Sequence, residues 1–323
     1  MTKHAKYLWL GLLLVLLALP LLTNSYYILR LLTTTGMYLI IVSGLNVLQG
    51  YAGLVSIGQA GFYGFGAYAA GLLMKNAGMP FVPTVVVVMC IGALVGLFLG
   101  MVCLKLKQAY LAIVTLAFGL IVQIVAVNWS SVTGGMEGLM GIPKPNIFGF
   151  LINTPTRGYY LVLLISVIVS FVIANLTKSS WGRALNAVRD DEIAANIMGI
   201  NVVNTKLFAF AFSSVLAMLS GTLYAGLYGG IFSDYFDMNL SVLFLSMMVI
   251  GGAGTQVGPV LGTVLIALGL ETLRFLGEGQ MLVYGVIVVA LCVFSPGGLV
   301  ELFSKKYREY KDKTLAERGV TSE

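Results

Sequence analysis

Residues 81–104 read FVPTVVVVMCIGALVGLFLGMVCL, a stretch without a single charged side chain. As an α-helix, about 24 residues extend ~36 Å. The hydrocarbon core of a membrane is about 30 Å thick and needs about 20 consecutive apolar residues to cross it. A water-soluble helix of this length would carry polar residues on its outer face. The stretch therefore predicts a transmembrane helix.

The composition of the whole chain agrees with this prediction. Of its 323 residues, 59% are hydrophobic and 10% are charged, and the mean hydropathy is +0.95. A typical soluble domain is about 25% charged, so this chain lacks the polar residues to cover a soluble globule. The 39 glycines against 8 prolines favour closely packed membrane helices over disorder. The composition excludes a soluble enzyme and a disordered scaffold.

Similar apolar stretches recur along the chain and predict an all-α, polytopic transmembrane helical bundle of about ten spans. The shortest of them, 239–252, is also compatible with a re-entrant segment. The glycine-rich stretch 54–74 is compatible with irregular or very close packing. The predicted spans are 8–23, 29–49, 54–74, 81–104, 109–128, 158–177, 207–229, 239–252, 257–275 and 281–298.

The Lys and Arg residues fall mainly on one side of this predicted bundle. With the amino terminus inside, the inner side receives Lys3, Lys6, Lys105, Lys107, Lys178, Arg183, Arg189, Lys206, Lys305, Lys306, Arg308, Lys311, Lys313 and Arg318. The outer side receives Arg30, Lys75, Lys144, Arg157 and Arg274. Because basic loops remain in the cytoplasm, both termini are expected to be cytoplasmic. The net charge of +6 then indicates topology and contact with membrane lipid, not nucleic-acid binding.

This orientation predicts a permease-like membrane domain over 1–303 and a charged cytoplasmic tail over 304–323. The long loop 129–157 is expected outside, and the long polar loop 178–206 is expected inside.

The predicted spans lack the residues of several other mechanisms. Their middles contain no Asp, Glu, Lys, Arg or His, which argues against a proton-coupled carrier. The chain has no G-x-x-x-x-G-K-[ST] phosphate-binding loop and no catalytic constellation. The single histidine, His4, and the three cysteines, Cys90, Cys103 and Cys292, do not have the spacing of a metal site. We therefore expect no enzyme activity, no metal and no cofactor in this chain.

Small polar side chains in the spans are candidates for a solute pathway. The amide or hydroxyl side chains of Asn46, Gln49, Ser56 and Gln59 lie close together in the sequence. Such groups suit a neutral or zwitterionic solute, but they also form hydrogen bonds between packed helices. For the three amides, which are costly to bury, the sequence leaves both interpretations open.

The inner loop is predicted to contain two short helices. The first follows Ser179 and Ser180, and the second begins at Asp190 and Asp191, where acidic side chains stabilise a helix start. Gly199 suits the end of the second helix. Such a segment can dock on a soluble partner or lie on the membrane surface.

Several motifs occur in one order along the chain: GLVSIGQAGF (53–62), TGGMEG (133–138), WGRAL (181–185), GGAGT (251–255) and FSPGGL (294–299). Together they resemble the branched-chain amino acid ABC transporter permeases of the LivM type. The segment 194–199, AANIMG, also resembles the cytoplasmic E-A-A-x-x-x-G element of ABC importer permeases. It departs from that element at Ile193, which stands in place of the Glu, while Glu192 lies one residue earlier.

The resemblance implies an ABC importer permease in the bacterial cytoplasmic (inner) membrane. It implies a sister permease of the LivH type, two ABC ATPase subunits that use ATP and Mg, and an external substrate-binding protein. The coupling residues would be Arg183, Arg189, Asp190, Glu192, Ala195 and Gly199. Urea and short-amide permeases share the same pattern, so they remain an alternative. A stand-alone channel or facilitator is the alternative from another functional class.

Overall fold

The computed structural model describes residues 20, 25–103, 108–147, 149–294 and 297–301. The predicted span 8–23 falls outside this part of the chain except at Pro20. The basic residues of the amino terminus, Lys105, Lys107 and the tail 304–323 also lie outside the described residues.

The described chain is mainly helical. Its longer helices are α1 (Tyr26–Leu45), α2 (Gln59–Lys75), α3 (Phe81–Cys103), α4 (Gln108–Asn128), α6 (Pro155–Lys178), α9 (Val202–Tyr228), α10 (Met238–Gly251), α11 (Gly258–Thr272) and α12 (Gln280–Phe294). Three shorter helices are α5 (Ser130–Thr133), α7 (Ser180–Asp190) and α8 (Glu192–Ile197). A π-helical turn, Asn46–Tyr51, continues α1, and 3₁₀ turns occupy Gly135–Glu137, Ser233–Phe236 and Leu273–Gly279.

Four two-residue strands lie in the connections between helices. They are β1 (Leu139–Met140), β2 (Asn146–Ile147), β3 (Phe150–Leu151) and β4 (Gly230–Ile231). β1 pairs antiparallel with β4, and β2 pairs antiparallel with β3. The first pair joins the 129–157 loop to the segment that follows α9, so these two connections form one structured cap over the same end of the bundle.

Six helical segments are long and apolar enough to cross a membrane, and they differ in burial. In the apolar stretch of Tyr26–Tyr51, 67% of the residues are buried, and in that of Val202–Tyr228 the share is 72%. The other four, Phe81–Val102, Tyr110–Asn128, Pro155–Lys178 and Gly258–Gly277, are only 17–28% buried. Because lipid tails accept apolar side chains as readily as a protein core does, the first two form the centre and the other four form the periphery.

Glycine allows α3 to approach the central helix α9. Gly92, Gly96 and Gly100 recur every fourth residue on α3 and face α9. A Cβ atom at Gly96 would lie 2.9 Å from the Ala211 Cα atom, and one at Gly100 would lie 3.0 Å from a Leu207 methyl carbon. Small residues at such spacing bring helix backbones close enough for extensive dispersion contact.

The contact between α2 and α9 is closer still. A Cβ atom at Gly66 would lie 2.5 Å from the Met218 Cα atom, and one at Gly221 would lie 2.6 Å from the Ala67 nitrogen. Since backbone atoms cannot move aside as a flexible side chain can, both positions exclude any side chain. The two glycines face each other across the crossing point and fix its depth.

Serine hydroxyls supply hydrogen bonds between the helices. Ser214 donates to the Gly92 carbonyl at 2.8 Å, and Ser220 donates to the Met37 carbonyl at 2.9 Å. Ser166 donates to the Gly36 carbonyl at 3.2 Å. α9 is thereby tied to α3 and α1, and α6 is tied to α1. These bonds explain how polar side chains are accommodated in the apolar interior.

The helix bounds differ from the predicted spans in one informative place. The predicted span 54–74 begins as an irregular segment, and helix α2 starts only at Gln59. The short segment 239–252 is a helix, α10, with bounds one residue from those predicted. The irregular start is a property of packing, because hydropathy registers the apolar character of 52–58 and not its backbone hydrogen bonds.

The Gly66–Met218 approach leads to a stability prediction. Gly66→Ala should lower the stability of the purified protein by ~1–3 kcal/mol, as overpacking does. The matched control is Gly285→Ala in α12, where a Cβ atom would meet nothing within 4 Å and alanine favours the helix. Thermal unfolding in detergent measures both variants. Equal unfolding midpoints would contradict the proposed close crossing.

Candidate functional site

The structure places Arg189 of the predicted inner loop against the end of α1. The guanidinium Nη1 of Arg189, in the predicted inner loop, donates to the Gly50 carbonyl oxygen at 2.6 Å. Gly50 belongs to the π-helical turn that also contains Asn46 and Gln49. One predicted coupling residue, Arg189, therefore contacts the turn that carries two predicted pathway residues, although 139 positions separate Arg189 from Gly50 in the sequence.

The Asn46 side-chain amide joins this turn to the connection between α10 and α11. Its Nδ2 donates to the Thr255 carbonyl at 2.8 Å, and its Oδ1 accepts from the Gly254 N–H at 2.8 Å. Asn46 is fully buried. Both ends of the amide are engaged with backbone, so the structure gives Asn46 a positioning role.

Gly254 is required at this contact for two reasons. Its φ of +73° lies in the left-handed region that favours glycine. A Cβ atom there would also lie 2.7 Å from Arg189 Nη1 and 2.9 Å from the Gly50 oxygen. We call the group Asn46, Gly50, Arg189, Gly254 and Thr255 the inner clamp. It connects helices α1, α7, α10 and α11 through hydrogen bonds.

The other three pathway candidates retain polar atoms without partners in the described structure. Ser56 and Gln59 are each 1% exposed. The Gln59 Nε2 donates to the Ser213 hydroxyl at 3.0 Å, whereas the described residues give no hydrogen-bond partner to Gln59 Oε1, Ser56 Oγ or Gln49 Oε1. Burying such groups unpaired is costly, so they are candidates to accept a hydrogen bond from a solute or water.

The irregular segment 52–58 lies beside these residues. Along it, Gly53, Val55 and Ile57 are partly exposed, and the residues between them are buried. The segment therefore has one covered side and one partly exposed side. The Ile57 N–H donates to the Thr115 hydroxyl of α4 at 3.1 Å, which holds the segment against its neighbour. Non-helical backbone at membrane depth is tolerated where it is buried in protein or lines a polar cavity.

Helix α7 is anchored to the bundle by its apolar face. Gly182, Leu185 and Val188 are buried along that face. The Trp181 ring lies 4.6 Å from the Phe208 ring of α9. These contacts fix the first part of the predicted inner loop, so Arg189 at its end is held in position against Gly50. Arg183 is exposed and donates to the Lys178 carbonyl at 3.3 Å.

Helix α8 projects from this anchor. The Asp191 carboxylate caps its start by accepting from the N–H groups of Ile193 and Ala194 at 2.8 and 3.0 Å. Glu192 forms an ion pair with Lys206 at 2.6 Å, and Ala195 is buried. Asp190, the last residue of α7, is exposed.

Helix α8 and the residue that follows it expose apolar side chains. Ile193, Ile197 and Met198 are 75–80% exposed, and we call these three the apolar tip. Gly199 follows with a φ of +84°, and a Cβ atom there would meet nothing within 4 Å. Glycine is therefore needed at this position for its backbone conformation and not for space.

Sequence reasoning missed an aromatic cluster between α1, α2, α9 and the cap. Tyr224 stacks on Tyr235 at 5.2 Å between ring centroids, and Tyr63 contacts both. The Tyr38 hydroxyl lies 2.5 Å from that of Tyr235. The sequence did contain a signal for this cluster. Tyrosines are usual at membrane interfaces, whereas several of these lie well inside apolar runs.

The cap also contains a partly buried cation. The Lys144 Nζ donates to the Leu227 carbonyl oxygen at 2.5 Å. Partial burial lowers the pKa of the Lys144 ammonium. The bond attaches the 129–157 loop to the carboxyl end of α9, next to the β1–β4 pair. The loop predicted to be external is therefore a folded part of the bundle end.

The chain is similar to permease components of known transport systems. The family profile described as branched-chain amino acid transport system / permease component matches residues 27–292. The high-affinity branched-chain amino acid transport system permease protein LivM of Salmonella typhimurium is 36% identical over 293 residues, covering 84% of this chain and 69% of that protein. LivM of Escherichia coli gives the same values.

A more distant relative is the probable LivM of Methanocaldococcus jannaschii, which is 25% identical over 82% of this chain and 90% of its own length. No solved structure matches the chain significantly. The resemblance inferred from the motifs is confirmed by the profile match and by the LivM relatives. The chain belongs to the branched-chain amino acid transport permease family and is a multi-pass membrane permease component, not an enzyme.

Proposed function

We propose that this chain forms part of the translocation pathway of an ATP-driven importer for branched-chain or related hydrophobic amino acids. The observation that carries the proposal is the 36% identity to two LivM permeases over 84% of the chain. The proposed location is the cytoplasmic (inner) membrane of a bacterium. A urea or short-amide substrate is the alternative from the same class of importer.

The side-chain chemistry supports a solute without net charge. In the described spans, charged residues such as Arg30, Lys206 and Glu271 lie within about two turns of a helix end. The interior offers amides, hydroxyls and apolar walls instead. A zwitterion with an aliphatic side chain can form transient hydrogen bonds to such groups, whereas an ion would lose its hydration without compensation.

The proposed assembly contains a sister permease of the LivH type, two ATPase subunits that consume ATP and Mg, and an external substrate-binding protein. The permease domain would cover residues 1–303, with both termini cytoplasmic. The proposal of ten spans adds 8–23 and the helices α2, α10 and α12 to the six long segments. The 178–206 loop would then be cytoplasmic, and the capped end of the bundle would be external.

The proposed coupling route begins at the apolar tip. Three exposed apolar side chains on a projecting helix suit a groove on an ATPase subunit, because their burial there is favourable. Movement of α8 would pass through α7 to Arg189, and from Arg189 to the inner clamp. The clamp contacts both the π-helical turn and the α10–α11 connection, so a small displacement would change two pathway-forming segments together.

The proposed pathway surface is the partly exposed edge of segment 52–58, with the unpaired atoms of Gln49, Ser56 and Gln59 beside it. The sister permease would cover this edge. Unwound backbone within discontinuous helices supplies polar groups to substrates and ions in other transporters. Asn46 would position this surface rather than bind the solute.

The assignment is tested by co-purification and uptake. In mild detergent, the chain should co-purify from its native membrane with a second apolar permease and with P-loop ATPases. Proteoliposomes containing this complex and its binding protein should accumulate leucine only with ATP and Mg. Accumulation of urea but not leucine would move the assignment to the alternative substrate class. ATP-independent flux through the chain alone would refute an importer.

The apolar tip predicts a specific loss of coupling. Met198→Asp should lower substrate-stimulated ATP hydrolysis at least about tenfold, because an unpaired carboxylate in an interface is strongly unfavourable. Insertion and folding should be unchanged, since Met198 is 80% exposed. Met136→Asp is the matched control, because Met136 is 74% exposed in the capped loop. Full activity of Met198→Asp would show that the tip does not dock.

Gln59 allows its packing role to be separated from a pathway role. Gln59→Leu removes the unpaired Oε1 and the bond to Ser213, whereas Ser213→Ala removes the bond alone. Transport should fall about fivefold in Gln59→Leu, the effect of one lost hydrogen bond of ~1 kcal/mol, and much less in Ser213→Ala. Equal transport by the two variants would assign Gln59 to packing. Unchanged complex assembly is the required control.

A further inference from the structure

A second polar site lies on the side of the bundle, away from segment 52–58. It is a half-open groove of about 270 Å³ between α1, α6 and the amino end of α11. Asn46 is at its base. The residues that line its wall include Val167, Phe171, Ala174, Asn175, Lys178 and Gln256. The proposed solute pathway uses none of these residues as a solute contact, and Asn46 belongs to the inner clamp.

The polar and apolar lining residues of this groove are separated along α6. Val167 and Phe171 lie toward the middle of the helix, and Asn175 and Lys178 lie in its last turn. With a rise of 1.5 Å per residue, the distance from Val167 to Lys178 along the axis is ~16 Å. Gln256 adds a second amide, and Val260 adds apolar surface on the α11 side. This division matches a molecule with a polar head and a hydrocarbon chain.

The charge at the polar end is uncompensated. Lys178 is the charged residue among those that line the groove. In the part of the chain that the structure describes, the ion pairs are Lys206–Glu192 and Arg274–Glu271, so Lys178 has no acidic partner there. Arg183 lies next to it through the bond to the Lys178 carbonyl. The head group that fits this end is an anion.

The opening of the groove is on a peripheral face. Only 22% of the residues in the apolar stretch of Pro155–Lys178 are buried. Phe171, on this helix, is 66% exposed. A membrane offers this face hydrocarbon chains next to Phe171 and head groups next to Lys178. Basic pockets between helices at the cytoplasmic membrane surface are suited to anionic phospholipid head groups.

We propose that this groove binds an anionic phospholipid of the inner leaflet. Its phosphate lies against Lys178 and the amides of Asn175 and Gln256, and one acyl chain lies along Val167, Phe171 and Val260. This position rests on the cytoplasmic placement of the α6 carboxyl end. Because Asn46 also belongs to the inner clamp, the groove adjoins the network that joins α7 to the proposed pathway segments.

The test is native mass spectrometry of the purified importer complex incubated with phosphatidylglycerol or with phosphatidylethanolamine of the same acyl chains. The wild type should retain phosphatidylglycerol about fivefold better, as expected for one basic residue near a phosphate. Lys178→Glu and Lys178→Gln should both remove this preference. Ala174→Trp, which fills the groove, should lower retention of both lipids. The readout is independent of transport, so it is informative whatever solute the importer carries.

Lys75→Glu is the matched control, because Lys75 is an exposed lysine in the last turn of α2 and should keep the preference. A preference that survives in both Lys178 variants would overturn the phosphate site. Unchanged retention of both lipids in Ala174→Trp would overturn the groove as the lipid site.

Discussion

The Asn46 amide meets the constraint on which the rest of the structure depends. Inside a bilayer no water is available, so buried polar groups must find partners within the protein. The end of α1 and the connection between α10 and α11 both place backbone groups in the interior. One side chain satisfies a donor and an acceptor of that connection, at Gly254 and Thr255. It thereby fixes the relative position of four helices, because Arg189 binds the same turn.

Around this clamp, the helices are held by contact and not by removal of apolar surface from water. The transfer of a leucine side chain from lipid to a protein core gains little, so close approach of backbones and hydrogen bonds between helices must supply the stability. Glycines at 66 and 221 and the glycine row on α3 provide the approach. The serine hydroxyls of α9 provide the bonds. Burial then follows from position, with α1 and α9 central and α3, α4, α6 and α11 peripheral.

The inner clamp also offers a physical basis for the proposed coupling. A rigid connection runs from the anchored helix α7 to Gly50 through a single guanidinium group. The projecting helix α8 has few contacts with the bundle apart from the Glu192–Lys206 ion pair. A partner that binds the apolar tip would therefore move α8, and through α7 that movement would displace the inner clamp. The groove proposed to bind lipid is lined in part by Asn46, which belongs to this clamp. Membrane composition and partner binding would therefore both act on the inner clamp.

The sequence alone determined the class of this protein. Long runs such as 81–104 are stable in a membrane and not in water, and six of the predicted spans overlap helices long and apolar enough to cross a membrane. The ordered motifs predicted the family, which the relatives confirm. The helix start and end in the 178–206 loop were also predictable from sequence, because the cap at Asp191 and the stop at Gly199 depend on local backbone chemistry.

Tertiary structure alone decided the partners of the polar side chains. Asn46 and Thr255 are 209 positions apart, and hydropathy gives no information on which helices will be neighbours. The same holds for the start of α2 at Gln59, the tyrosine cluster and the contact of Arg189 with Gly50. Local sequence fixes whether a segment crosses the membrane. Which of its polar atoms are satisfied depends on residues brought close by packing, and that distinction separates Asn46, fully engaged, from Gln59, with one oxygen left unpaired.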